Sequence, residues 1–120
     1  MSLRTERMAE ALREELMDII LRDLKDPAIG IVSITHVRVS TDLKHAWIGI
    51  TVLGDETDHD ETLNALQKAT GHIRRELAAR IKMRLVPEVV FEIDKATEHS
   101  VRISQILHEL GETKNGDGDV

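Results

Sequence analysis

A long helical pattern opens the chain, and it requires a second layer of structure to cover its apolar side. Between residues 3 and 25 apolar residues recur at intervals of three or four, among them Leu12, Leu16 and Ile20, while acids and arginines fill most other positions. This spacing predicts an amphipathic helix with one apolar stripe. The helix should end before Pro27, because proline disfavours helical geometry in the preceding residue. A stripe of this length is stable when another element packs against it.

Three later segments have the composition and alternation of β-strands. Residues 31–39 are rich in Ile, Val, Ser and Thr, and apolar residues alternate over residues 46–52 and again over residues 89–93. Polar residues 40–43 favour a turn between the first two strands, so these two should form an antiparallel hairpin. The third strand arrives through a helical crossover, which allows it to run parallel to a neighbour.

A second helical pattern, interrupted by a glycine, lies between the hairpin and the third strand. It predicts a helix over residues 61–69 that resumes after Gly71 and continues to residue 83, with Asp58 and Glu61 as a capping pair at its start. A glycine inside a helix costs about 1 kcal/mol relative to alanine. We therefore expect a kink, or the close approach of another molecule, at Ala69-Thr70-Gly71.

The predicted order of elements is helix, strand, strand, helix–kink–helix, strand. This order defines a two-layer α+β domain with a three-stranded sheet. Residues 101–110 predict a short C-terminal helix, and residues 111–120 lack apolar periodicity and predict a disordered tail. One folded domain over residues 1–110 suits a chain of 120 residues.

The composition excludes several classes of function. The chain has no cysteine, which rules out disulfides, thiolate metal sites and cysteine nucleophiles. Trp47 and Phe91 are too few aromatic residues for the stacking platforms that read single-stranded RNA. No apolar segment is long enough to span a bilayer, and the first residues do not form a secretory signal, so we expect a cytoplasmic protein.

A basic segment on an acidic protein is the strongest functional signal in the sequence. The formal net charge is -6, yet six basic residues lie between residues 68 and 84 against one acid, Glu76. Ordinary surface helices pair the two signs, so segregated positive charge indicates a polyanionic partner. A solvated helix face is the alternative interpretation. On a helical wheel Arg75 and Lys82 lie opposite the apolar residues, whereas Arg80 and Arg84 lie near the apolar boundary.

Six short stretches, taken in their joint order and spacing, resemble the ribosome-binding factor A family, and the order of elements is that of a type II KH domain, an RNA-binding fold. The stretches are Leu24-Lys-Asp-Pro27, Val39-Ser-Thr-Asp-Leu-Lys-His-Ala46, Val52-Leu-Gly-Asp-Glu56, Ala69-Thr-Gly-His-Ile-Arg-Arg-Glu-Leu77, Val86-Pro-Glu88 and Arg102-Ile-Ser104. The resemblance extends over nearly all of the chain between Arg4 and Leu110.

The resemblance implies a non-enzymatic assembly factor that binds 16S ribosomal RNA in the immature small (30S) ribosomal subunit. It implies help with late maturation and 5′-end processing of the 16S precursor, importance in the cold, and a monomer with no cofactor, membrane or small-molecule partner. An ordinary KH domain holds nucleic acid with a GxxG loop, which is absent here and in the family. The implied RNA-contacting residues lie at the kink and in the basic segment: Lys68, Ala69, Gly71, His72, Arg74, Arg75, Arg80, Lys82 and Arg84.

Other interpretations stay open at this stage. A small α+β interaction module would use the same basic helix to bind an acidic protein, and Arg38, Lys44 and His45 extend the basic surface if they share its face. The acidic loop over residues 55–61 lacks the central glycine of an EF-hand, the histidines show no zinc-binding spacing, and no nucleophile stands with a base and an orienting group. We therefore expect no catalytic residue and no metal site.

Overall fold

The computed structural model describes residues 3–82 and 84–97. Its elements are α1 (Leu3–Asp18), a π-helical segment (Ile19–Asp23), β1 (Val32–Val39), β2 (His45–Val52), α2 (Glu56–Lys68), α3 (Thr70–Ile81) and β3 (Glu88–Ile93). This is the predicted order. The predicted helix over residues 101–110 and the predicted tail over residues 111–120 lie outside the described residues, so both they and the domain boundary at residue 110 stay predictions.

The sheet contains the predicted antiparallel hairpin, and β2 lies in its centre. β1 pairs antiparallel with β2, and β3 pairs parallel with β2 on its other side. The hairpin turn is held by polar side chains, because Ser40 Oγ accepts the N–H of His45 at 3.0 Å and Asp42 Oδ1 accepts the N–H of Lys44 at 3.0 Å. Leu43 occupies the turn with a φ of 61°.

The core lies between one face of the sheet and the helices. Side chains alternate along a strand, so Ala46, Ile48 and Ile50 of β2 point to the same face, and all three are fully buried. Leu16 of α1 and Leu77 of α3 belong to the same buried cluster. The helices therefore cover one face of the sheet and form the predicted two-layer α+β domain.

The first helix ends in a π-helical turn that the sequence pattern did not predict. Leu24 donates its N–H to the carbonyl of Ile19, five residues back, at 3.1 Å, and then takes up extended geometry. Ile19 and Ile20 are both buried. A π turn contains one residue more than an α turn, which is too small a change for hydrophobic spacing to detect. The extra residue determines where the side chain of Asp23 lies.

The second helix begins earlier than predicted, at Glu56 instead of residue 61. The predicted capping pair of Asp58 and Glu61 was wrong, because the capping box is formed by Asp55 and Asp58. The N–H of Asp58 donates to Asp55 Oδ1 and the N–H of Asp55 donates to Asp58 Oδ2, each at 3.0 Å. The usual capping-box pattern has Glu or Gln at the third helical position, so an aspartate there is easily missed.

The predicted helix–kink–helix is present, and its pivot is Ala69. This residue ends α2 and precedes α3 with φ -87° and ψ 0°. Its N–H bonds to the carbonyl of Ala65 at 3.1 Å and its carbonyl accepts the N–H of Ile73 at 2.9 Å, so hydrogen bonding continues through the kink. Gly71 is therefore in the first turn of α3 and not at the pivot itself.

Thr62 links α2 to the loop that precedes β1, and its replacement by valine should weaken the fold. The fully buried Thr62 accepts the N–H of Gly30 at 3.1 Å and donates to the carbonyl of Ala28 at 3.3 Å. Thr62→Val keeps the shape and removes both bonds, so the free energy of unfolding should fall by about 1–3 kcal/mol. Urea denaturation measures this, with the exposed Thr57→Val in the same helix as the control. Equal stability of the two variants would show that the link contributes nothing.

Candidate nucleic-acid interface

Burial of one side of α3 turns its basic side toward solvent. Ile73 and Leu77 are fully buried against the sheet. The exposed residues on the other side recur at intervals of three or four and continue back into α2. Because the helical hydrogen bonds continue through the kink, these residues share one face. We name the four of them that carry or can carry positive charge the basic ridge: Lys68, His72, Arg75 and Lys82.

Gly71 lies beside the ridge and is exposed. A methyl group at this position would meet only Arg75 Nη1, at 3.9 Å, among the described residues. Gly71 also lies inside a helix and is not among the positive-φ glycines. The described residues therefore give no steric or conformational reason for glycine here. The open space is suited to the close approach of another molecule to the helix backbone.

Lys82 ends α3 in the left-handed region, with φ 57° and ψ 43°. Glycine is the usual residue at such a position, because a side chain there costs roughly 1–2 kcal/mol. A positive charge at the C-terminus of a helix offsets part of this cost by interacting with the helix dipole. The strained backbone holds the exposed lysine at the far end of the ridge.

Arg74 and Arg84 flank the ridge and are both exposed. Arg74 donates to the carbonyl of Val86 at 3.0 Å, which ties α3 to the segment before β3. Arg84 lies in that same connecting segment. Both side chains carry positive charge at the surface, and the position of Arg74 is fixed by its hydrogen bond. Ala69, the remaining residue of the predicted set, is half-buried and serves as the pivot.

Arg80 departs from the prediction, because its charge is held by carboxylates of the same chain. Its guanidinium donates to Asp18, to Glu15 at 3.3 Å and to Asp23 at 2.8 Å, and Glu76 lies 3.9 Å away. The hydrogen bond to Asp18, with those of the other carboxylates, raises the pKa of Arg80 above its ordinary value. Arg80 therefore fastens α3 to α1 and its π-helical extension, and we remove it from the candidate interface.

Two of the three basic hairpin residues, Arg38 and His45, do not extend the ridge. Because Ala46 and Ile48 point to the helices, the neighbouring His45 and Trp47 lie on the opposite face of the sheet. Arg38 joins them there, with its Cζ 4.3 Å from the centre of the Trp47 ring, and the ring of His45 stacks on Trp47 at 6.1 Å. Lys44 is exposed in the turn. The sheet thus separates Arg38 and His45 from α3, whereas Lys44 lies in the turn at the end of the hairpin.

His72 also belongs to a group of potential metal ligands. The ligand atoms of Asp23, His72 and Glu76 all lie within 4.8 Å of one another.

None of the helices in the described part of the chain is long and apolar enough to cross a membrane.

The fold and this surface define a small two-layer αββααβ domain with an exposed basic helix beside an open glycine. The chain belongs to the ribosome-binding factor A family, whose model matches residues 4–107. The resemblance that the sequence motifs indicated is thereby confirmed.

Relatives agree with this assignment in sequence and in structure. The ribosome-binding factor A of Desulforamulus reducens is 48% identical over 110 residues, which is 92% of each chain. The crystal structure of ribosome-binding factor A from Thermus thermophilus has a TM-score of 0.69 at 25% identity and covers 77% of this chain and 97% of that one. A homology model of the Thermus thermophilus factor, fitted into the cryo-EM map of a complex with 30S, has a TM-score of 0.59 at 25% identity over 80% of this chain and 97% of that one.

The role of Arg80 predicts a pH-dependent loss of stability in Arg80→Met. Asp23 is hydrogen-bonded to Glu76 and attracted by Arg80, and together these interactions lower its pKa from 3.8. A carboxyl group whose pKa is lowered by folding stabilises the protein at pH values above its ordinary pKa. This stabilisation is lost as the pH falls through the lowered pKa. Arg80→Met should therefore shift the urea midpoint downward at pH 7, and the shift should shrink below about pH 4.

Arg75→Met is the matched control for this experiment, because it removes a guanidinium from an exposed position on the same helix. Its urea midpoint should stay near that of the unchanged protein at both pH values. A loss of the same size at neutral and at acidic pH in Arg80→Met would contradict the ionic role and leave only packing of the side chain.

Proposed function

We propose that this protein is a non-enzymatic assembly factor that binds 16S ribosomal RNA in the immature small (30S) ribosomal subunit. It acts in the cytoplasm as a monomer, without a membrane or small-molecule partner, assists late maturation and 5′-end processing of the precursor, and matters most in the cold. Membership of the family supports this, as does the related Thermus thermophilus factor fitted into a 30S complex. The observation that carries the proposal is the exposed basic ridge beside the open Gly71.

The ridge is suited to the phosphate backbone of RNA. From Lys68 to Lys82 it extends about 20 Å along the helix axis, at 1.5 Å per residue. Several phosphates of a strand fit within this length, and their neutralisation releases counterions to solution. Because backbone contacts position a protein without reading sequence, RNA shape must supply the specificity. The open space over Gly71 lets a sugar or phosphate reach the helix more closely than any side chain would allow.

The acidic remainder of the protein limits binding to RNA at large. The whole chain has a formal net charge of -6 although the ridge is basic. Surfaces other than the ridge therefore repel phosphates on average, and this repulsion makes the protein favour one orientation on its target. Binding in that orientation stabilises the RNA conformation that fits the ridge. A ligand shifts a folding equilibrium by its difference in affinity for the two states, so maturation advances toward the bound conformation.

Charge reversal on the ridge should weaken binding to the subunit. The double variant Arg75→Glu/Lys82→Glu replaces two exposed cations with anions, and we expect at least a tenfold loss of affinity and a smaller dependence on salt. The measurement is co-sedimentation with purified immature small subunits over a range of salt concentrations. Arg38→Glu is the control, because its side chain lies on the opposite face of the sheet.

If the ridge variant bound the subunit as tightly as the unchanged protein, and unfolded at the same urea concentration, this assignment would be contradicted. Ribonuclease treatment of the complex separates RNA binding from the alternative of an acidic protein partner. The proposal requires that digestion of the RNA releases the protein, whereas an acidic protein partner would retain it.

Gly71 should be needed for binding and dispensable for folding. Gly71→Ala and Gly71→Gln place a small and a long side chain where the fold leaves space. Both variants should unfold at the same urea concentration as the unchanged protein or at a higher one, because glycine is the poorer helix former. For alanine the free energy of unfolding should rise by up to about 1 kcal/mol. Affinity for immature subunits should fall in the order glycine, alanine, glutamine. Full affinity in both variants would place the RNA contacts elsewhere.

A further inference from the structure

Three side chains from two distant parts of the sequence converge beside the start of the ridge. His72 and Glu76 are four residues apart and lie on one side of α3, and Asp23 reaches them from the last position of the π-helical segment. Their ligand atoms lie within 4.8 Å of one another. Asp23 is held in place by Arg80 Nη2 at 2.8 Å. The extra residue of the π turn and the anchoring arginine thus direct a carboxylate at a histidine–carboxylate pair.

The surrounding cluster has more negative than positive charge. Besides Arg80, the one other guanidinium that pairs with these carboxylates among the described residues is that of the exposed Arg22, at 3.0 Å from Asp18. Two guanidinium groups therefore face four carboxylates, and the cluster keeps a net negative charge. The four carboxylates are those of Glu15, Asp18, Asp23 and Glu76.

The carboxylates of Asp23 and Glu76 both lie beside His72, with ligand atoms within 4.8 Å of one another. Two like charges this close repel each other, and a cation bound between them would relieve the repulsion.

We propose that Asp23, His72 and Glu76 form a binding site for a divalent transition-metal ion of the Zn²⁺ class. One imidazole nitrogen and two carboxylate oxygens suit Zn²⁺, Co²⁺, Ni²⁺ or Mn²⁺, whereas Mg²⁺ and Ca²⁺ prefer oxygen alone. Three protein ligands leave at least one position for water or an added oxygen ligand. Arg80, hydrogen-bonded to Asp23, supplies the outer contact that orients a ligating carboxylate.

The geometry requires a modest adjustment. Around a tetrahedral Zn²⁺, ligands at about 2.1 Å from the ion lie about 3.4 Å apart. The distances between the ligand atoms, which are now at most 4.8 Å, must therefore shorten by no more than about 1.4 Å. His72 is exposed and free to rotate toward the two half-buried carboxylates. An ion held there would place positive charge and an open coordination position beside the ridge.

A second histidine with two carboxylates supplies the matched control. His36 has Glu92 at 3.6 Å from Nε2 and Asp94 at 3.5 Å from Nδ1. Because these carboxylates face opposite nitrogens of the ring, they cannot bind one ion together with a single nitrogen. His36→Asn therefore removes a similar histidine without removing the proposed site.

The test is Co²⁺ titration of the full chain without an affinity tag, followed by its visible absorption and by displacement with Zn²⁺. We expect one Co²⁺ per chain, loss of the Co²⁺ spectrum on addition of Zn²⁺, and weaker binding as the pH falls, because the imidazole must be neutral. His72→Asn and Glu76→Gln should each weaken binding at least about tenfold, while His36→Asn should leave it unchanged. Amide NMR signals near residues 23, 72 and 76 should broaden on Co²⁺ addition.

Absence of Co²⁺ binding would overturn the proposal. If both site variants bound Co²⁺ as tightly as the unchanged protein, the proposal would be overturned as well. The same holds if the broadening centred on other residues. Because the titration uses the protein alone, a negative result leaves the proposed binding of ribosomal RNA untouched. Conversely, unchanged subunit affinity in the ridge variant would not affect the metal site.

Discussion

The position of the basic ridge depends on the burial of Ile73 and Leu77 against the sheet. Both side chains are fully buried, and a buried aliphatic side chain contributes about 1.5–3 kcal/mol relative to an exposed one. A surface ion pair contributes about 0–1 kcal/mol. Apolar burial, and not charge, therefore sets the rotation of α3 about its axis. Once that rotation is fixed, Arg75 and Lys82 face solvent whatever their own contacts are.

The cations of α3 are divided between two tasks according to which neighbours they meet. Arg80 faces α1 and the π-helical segment, where carboxylates from both hold it. Arg75 and Lys82 face away from these acids, and neither forms an ion pair with another of the described residues. Arg75 and Lys82 are thus the cations of the ridge on α3 that no described carboxylate pairs with, whereas His72 lies beside Asp23 and Glu76. The acidic first helix and its π-helical extension fix α3 through Arg80.

Local patterns in the sequence were sufficient for the order of elements. The hairpin and the helix–kink–helix at Ala69-Thr70-Gly71 follow from spacing and from turn residues, and both are present. The helical crossover allowed β3 to run parallel to a neighbour, and it pairs parallel with β2. What the pattern missed depends on contacts between distant residues. The three acids that accept hydrogen bonds from Arg80 lie 57 to 65 positions away from it, and no helical wheel of α3 includes them. The separation of Arg38 from the ridge likewise depends on which face of the sheet the helices cover.

Three glycines differ in whether the fold itself explains why glycine occupies the position. At Gly49 a methyl group would overlap the ring of His36, and at Gly54 a φ of 123° disfavours any side chain. Both glycines are explained within the protein. Gly71 has helical geometry and open space above it, so the ordinary rules for helices favour alanine by about 1 kcal/mol. A residue that conflicts with local preference, and that no contact within residues 3–82 and 84–97 requires, points to a constraint from outside the chain. The proposed RNA contact would supply such a constraint, because a phosphate or sugar beside Arg75 would reach the helix backbone at Gly71.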